Sequence, residues 1–153
     1  MLFLPYMKRP KYKVLQLSDL KQIAQDVFKD HNEIQLAYLY GSYAKGLQTQ
    51  FSDIDIGVVL DREFKEKSFY FSRLISEIEK KTDYQINIDL KILNDAIPRF
   101  LFQIVKDGII LYFKDKTFKD EFELMVLNQY LDIKPLLDMF DDLYIKEVLG
   151  DEY

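Results

Sequence analysis

The chain has 153 residues and a formal net charge of −5, with 48% hydrophobic and 31% charged residues. That length fits one domain with its own core, and the acidic balance argues against general nucleic-acid binding through a basic surface. Cysteine is absent, which excludes disulfides, zinc–thiolate sites and a thiol nucleophile. The apolar start, Met1 to Pro5, is too short for a secretion signal, and no stretch is long enough to span a bilayer, so a cytoplasmic protein is expected.

In chain order, the basic cluster Lys8, Arg9, Lys11 and Lys13 comes first, with Tyr6 and Tyr12 among it. It contrasts with an acidic C-terminal third. Two solvated faces explain this contrast better than partner selection by charge. A first helix is predicted from about Ser18, as cap, to His31, with Leu20, Ile23, Ala24 and Val27 at helical spacing. His31, the single histidine, falls between that helix and a strand, which favours a structural role over catalysis. Ile34 to Tyr40 reads as a strand that Gly41-Ser42 ends, and a short helix starts there. Asp53 to Leu60 reads as a second strand, with Ile54, Ile56 and Val58 on one face and Asp53, Asp55 and Gly57 on the other.

Phe71, Leu74, Ile75 and Ile78 give the next helix its apolar stripe. Gln85 to Leu93 reads as a third strand burying Ile86, Ile88, Leu90 and Ile92, with Asn87, Asp89 and Lys91 opposite. Asn94 or Asp95 is placed to cap a helix with Pro98 in its first turn. Phe100, Leu101, Ile104 and Val105 form its inner face and Gly108 its end. Ile109 to Phe113 reads as a last short strand. From about Phe118 the pattern is helical again, with Pro135 expected to kink or split it. Core packing is the expected role of Phe122, Tyr130, Phe140 and Tyr144, with a docking face as the alternative. The sum is an α/β (α+β) fold, a small mixed sheet flanked by helices, in a single domain over 1–153.

Two carboxylates two residues apart on a strand leave the same face and repel each other, a conflict that a hard divalent cation relieves. If the third strand lies beside the second, Asp89 reaches the same place. Three carboxylates suit a two-metal phosphoryl or nucleotidyl transfer site, one ion activating an attacking hydroxyl and the other steadying a triphosphate. Upstream, Gly41 permits a tight turn, Ser42 offers a hydroxyl and an N–H at a helix start, and Lys45 adds positive charge near a triphosphate.

Gly41-Ser42, ten residues, then Asp53-Ile54-Asp55 resembles the signature of the DNA polymerase β-like nucleotidyltransferase superfamily. Within it, the short chain is similar to minimal nucleotidyltransferases, especially the MntA-type antitoxins, and Tyr130 to Pro135 resembles their tail. The resemblance implies a nucleotidyltransferase fold in which Gly41 and Ser42 bind the triphosphate and Asp53, Asp55 and Asp89 hold metal, taken as two Mg²⁺ ions. It implies ATP as substrate and a HEPN-domain ribonuclease toxin as partner, silenced by AMP transfer to its tyrosines. Many relatives carry arginine where Lys45 stands, and lysine keeps the charge without the bidentate fork. A small-molecule acceptor such as an aminoglycoside, and an antitoxin acting by contact alone, are the alternatives.

Overall fold

The computed structural model describes residues 15–49, 51–83 and 86–150. Helix α1 (Leu17–Phe28) leads into strand β1 (Ile34–Tyr40) and the single-turn helix α2 (Gly41–Ala44). Strand β2 (Ile54–Leu60), helix α3 (Tyr70–Lys81) and strand β3 (Ile88–Ile92) follow. Helix α4 (Pro98–Asp107), strand β4 (Ile109–Phe113) and helix α5 (Lys116–Leu149) complete the order. The sheet runs β3-β2-β1-β4. It is mixed: β1 pairs antiparallel with β2 and β4, whereas β2 and β3 are parallel.

Both sheet faces are covered. Leu20, Ala24, Phe28, Leu74 and Ile78 from α1 and α3 pack on Ala37, Leu39, Ile54, Ile56 and Val58. On the other face Leu101, Ile104, Phe122 and Val126 from α4 and α5 pack on Leu36, Tyr38, Val59 and Leu93. Strand β1 is central, so its residues bury on both sides rather than on one. A register irregularity between Ile34 and Leu36 lets these two residues, of the same parity, serve opposite faces. From Leu36 the alternation is regular, and it sends Tyr40 to the α4 side with Tyr38.

Two expected caps are corrected. Gln16 precedes α1, so Ser18 lies inside its first turn and caps nothing. Ile97 precedes α4 without a side-chain cap, and Pro98, lacking an N–H, starts the helix. Asn94 instead clamps the end of β2, accepting from Leu60 N–H at 2.8 Å and donating to Leu60 C=O at 2.7 Å. Conversely, Asp115 caps α5, its carboxylate accepting from Thr117 and Phe118 N–H. The third strand is also shorter than expected, starting at Ile88. The basic cluster of residues 8–13, with Tyr6 and Tyr12, lies outside the described residues.

Pro135 does not split α5, which runs unbroken for 34 residues. The proline removes one N–H, and its neighbours Lys134 and Leu136 are exposed, so water reaches the freed carbonyl of the preceding turn. The expectation of core packing for all four C-terminal aromatics divides at the same point. Phe122 is buried and Tyr130 stacks on Phe102 with ring centroids 3.8 Å apart, but Phe140 and Tyr144 are exposed. The first half of α5 packs on α4 and the second half projects past it.

His31 ties the turn between α1 and β1 to α3. Its ring contacts Glu33 and Glu77, each at 2.8 Å, and Glu33 also accepts from Tyr70 Oη. Burial of the ring opposes protonation, but hydrogen bonds to Glu77 and Glu33 outweigh it and raise the His31 pKa above its ordinary 6.5. Burial likewise disfavours a charged Glu33, yet its hydrogen bonds, including those from Tyr70 and His31, hold its pKa below its ordinary 4.5. The histidine's contribution to stability is full below 6.5 and is lost as pH rises through the raised folded value. The glutamate's contribution is full above 4.5 and is lost as pH falls through the lowered one. Thermal melts should therefore show stability falling as pH rises above 6.5. His31→Gln should flatten that slope; an unchanged slope would remove the His31 network as its cause.

Candidate active site

Strand pairing sets two of the sequence-predicted acids, Asp55 and Asp89, side by side. Asp55 is the antiparallel partner of Tyr40 and the parallel partner of Asp89, so Tyr40, Asp55 and Asp89 form a row across three adjacent strands. Asp53 lies just before β2 on an exposed approach. A turn fixes that approach: Thr49 N–H donates to Ser52 Oγ at 2.8 Å, and Ser52 N–H donates to Thr49 C=O at 3.1 Å. The Ile54 N–H donates to Asn87 C=O at 2.9 Å, tying the starts of β2 and β3.

Gly41 has φ +71°, a conformation that side chains with a Cβ rarely adopt. Its open side faces Asp55 Oδ2, which a Cβ at this position would collide with. Glycine is therefore required twice, by the turn out of β1 and by the carboxylate lying against it. The first-turn amides of α2, Ser42 and Tyr43 among them, have no acceptor within the helix. Lys45, at the end of α2, lines a crevice of about 140 Å³ together with Tyr40, Gly41, Phe100, Gln103 and Asp107. Of the sequence-predicted residues, Gly41, Asp55 and Asp89 converge most closely. Lys45 sits around the corner, on the crevice side.

Electrostatics couple the acids. Burial first, then the charge of Asp89, raise the Asp55 pKa; Lys91 opposes them, and Asp53 adds to the rise. Lys91 Nζ stands 3.9 Å from Asp89 Oδ2 and 5.9 Å from the centre of the Phe100 ring. Burial, Asp55 and Asp89 together raise the Tyr40 pKa, and its hydroxyl is buried with no hydrogen-bond partner among the described residues. Tyr40 and Lys91 are site residues that sequence reasoning did not single out. Their signals were present: Tyr40 immediately precedes Gly41, and Lys91 shares the strand face of Asp89.

Among the described residues no three His, Cys, Asp or Glu side chains already stand as a preformed ion cage. The donor set nevertheless suits a hard cation: oxygen ligands only, mutual repulsion at Asp55, and a glycine that leaves its Oδ2 room. Asp53, Asp55 and Asp89 are the side chains that could hold one.

A small mixed sheet with acids on neighbouring strands, beside a Gly-Ser turn into a short helix, defines a nucleotidyl-transfer architecture. The chain belongs to the polymerase beta nucleotidyltransferase family, whose model matches residues 21–117. A Methanocaldococcus jannaschii protein described as "Putative protein adenylyltransferase MJ1379" is 33% identical over 78 residues, spanning 49% of this chain and 78% of that one. A chain from a toxin–antitoxin structure with AMP-PNP superposes with TM-score 0.65 at 24% identity, covering 81% of this chain and 98% of that one. A mutant form of an MntA toxin–antitoxin complex gives 0.63 at 27% identity, covering 84% and 99%. The tri-AMPylated Shewanella oneidensis HEPN toxin in complex with MNT antitoxin gives 0.61 at 22% identity, covering 85% and 99%. Among the described residues, no helix is long and apolar enough to cross a membrane.

Proposed function

We propose that this chain is a Mg²⁺-dependent protein adenylyltransferase that moves AMP from ATP to a tyrosine of a HEPN-type partner protein and so acts as its antitoxin. The observation that carries the reading is the row of Asp55 and Asp89 on paired strands, with Gly41 backed against Asp55. The acceptor's phenolic oxygen forms a bond to the α-phosphorus, the α–β phosphoanhydride bond breaks, diphosphate leaves, and the phenolic proton passes to solvent. Magnesium held by Asp53, Asp55 and Asp89 would supply charge neutralisation for the triphosphate and lower the pKa of the attacking hydroxyl.

The protein's own residues do the rest. Gly41 keeps the backbone clear so that phosphate oxygens approach the free amides of Ser42 and Tyr43. Lys45 places a cation on the crevice side. Lys91, beside Asp89, tempers the negative field of the acids before substrate arrives. A relative named for protein adenylylation and structural neighbours from toxin–antitoxin complexes, one with AMP-PNP and one with a tri-AMPylated toxin, support ATP as donor and a protein as acceptor.

A protein acceptor needs a docking surface, and the outer half of α5 supplies one. Met139, Phe140, Leu143, Tyr144, Val148 and Leu149 are each half-exposed or more. Asp138, Asp141, Asp142 and Glu147 lie among them, with Lys134 Nζ 2.6 Å from Asp138 and the Arg99 guanidinium 3.9 Å from Asp141. The occupant this reading implies is the partner protein itself, presenting an apolar helical face to these side chains. Leu143→Asp should abolish co-elution with the partner and leave binding of Mg²⁺ and an ATP analogue unchanged. Retained co-elution would move the docking face elsewhere.

The function itself is tested by labelled ATP. Label at the α-phosphorus should appear on the partner protein and label at the γ-phosphorus should not. Transfer to an aminoglycoside, or to no acceptor, would contradict the reading.

A further inference from the structure

Two side-chain polar atoms among the described residues are buried without a partner, Tyr40 Oη and Gln48 Oε1. Both lie in the segment from the end of β1 to the start of β2, which also carries Gly41 and Asp53. A buried hydroxyl without a hydrogen bond is costly and uncommon, so two such atoms in one short segment mark a place completed by something else. Tyr40 lies in the row with Asp55 and Asp89, yet it makes no hydrogen bond to either. Its ring is held edge-on by Phe100, with centroids 5.6 Å apart, so the hydroxyl is not free to swing away. Tyr40 and Gly41 both line the crevice that Lys45 and Gln103 share. A molecule reaching from the acids to Lys45 therefore passes Tyr40.

Resting on the reading of this site as a nucleotide site, we propose that the Tyr40 hydroxyl donates a hydrogen bond to an oxygen of the bound nucleotide, as a residue that positions substrate rather than metal. The phenol carries its proton at neutral pH and is a donor without needing ionisation. An oxygen-rich anion suits a neutral donor with a lysine nearby, and phosphate and ribose oxygens both answer that description. The acids do not, because the structure holds the hydroxyl beside them unbonded.

The test is Tyr40→Phe, which removes only the hydroxyl. Binding is measured by calorimetry for Mg²⁺ with α,β-methylene-ATP, for Mg²⁺ with tripolyphosphate, and for Mn²⁺ alone. The Kd for the nucleotide analogue should rise about tenfold, as loss of one well-placed hydrogen bond requires. Mn²⁺ alone should bind as in the parent. The melting temperature without ligand should be unchanged or higher, since an unsatisfied buried hydroxyl is gone. An equal penalty with tripolyphosphate places the bond on a phosphate oxygen, and a penalty confined to the nucleotide places it on the sugar. Parent affinity in the variant, or an equal loss for Mn²⁺ alone, overturns the proposal while the nucleotidyltransferase reading stands. Absence of nucleotide binding in the parent chain overturns both.

Discussion

Asp55→Asn is expected to lower AMP transfer about a thousand-fold or more, on the order of 4 kcal/mol of transition-state stabilisation. Asp55 is the centre of the acid row: it pairs with Tyr40 on one side and Asp89 on the other, and Asp89 and Asp53 both act on its charge. Asparagine keeps the shape but loses the anionic ligand that a hard cation needs. The same change removes repulsion among the acids, so the variant should melt at or above the parent temperature in the absence of metal. Paired measurements of single-turnover transfer and thermal melting check this. Loss of transfer together with a collapsed melting temperature would instead assign Asp55 a structural role.

Gly41→Ala is expected to have the second-largest effect, through two separate causes. The φ of +71° disfavours any residue with a Cβ, at a cost of roughly 1 kcal/mol or somewhat more. The added methyl would also meet the Asp55 carboxylate, which has to shift away from its place beside Asp89. A displacement of this kind at the reacting centre costs about a hundred-fold in rate, beyond the loss of stability. Metal and nucleotide affinity should fall together in this variant, unlike Tyr40→Phe, which spares the metal. An alanine variant with parent turnover would show that Asp55 has another equally competent position.

The sequence was most informative where period and punctuation agreed. Ile34 to Tyr40 and Ile109 to Phe113 have the expected strand bounds because glycine borders each: Gly41 ends the first, and Gly108 precedes the second. The placing of Asp55 opposite Ile54 and Ile56 follows from strand alternation, whereas Asp53, expected to open the strand, lies just before it. Asp89 needed one further condition, that β3 lie beside β2, and the parallel pairing meets it. Caps were less legible, because serine and asparagine near a boundary have several possible partners. Asn94 found the two polar groups of Leu60, leaving α4 without a side-chain cap, while Asp115 caps α5.

Two further features depended on packing that no local pattern encodes. Phe122 and Phe140 occupy similar periodic positions along α5, yet one is buried and the other exposed, since α4 is only ten residues long and α5 outruns it. Tyr40 read as one more strand aromatic; only the three-strand register sets it beside Asp55 with its hydroxyl unpaired.

The most direct test is the intact mass of a HEPN-type partner protein after incubation with this chain, ATP and Mg²⁺, beside a reaction containing a chelator. Protein adenylylation at this site predicts mass gains in whole AMP units, located on tyrosine by fragmentation and absent with the chelator. A partner that keeps its original mass while bound and neutralised would contradict it, and would make this chain an antitoxin that acts by contact alone.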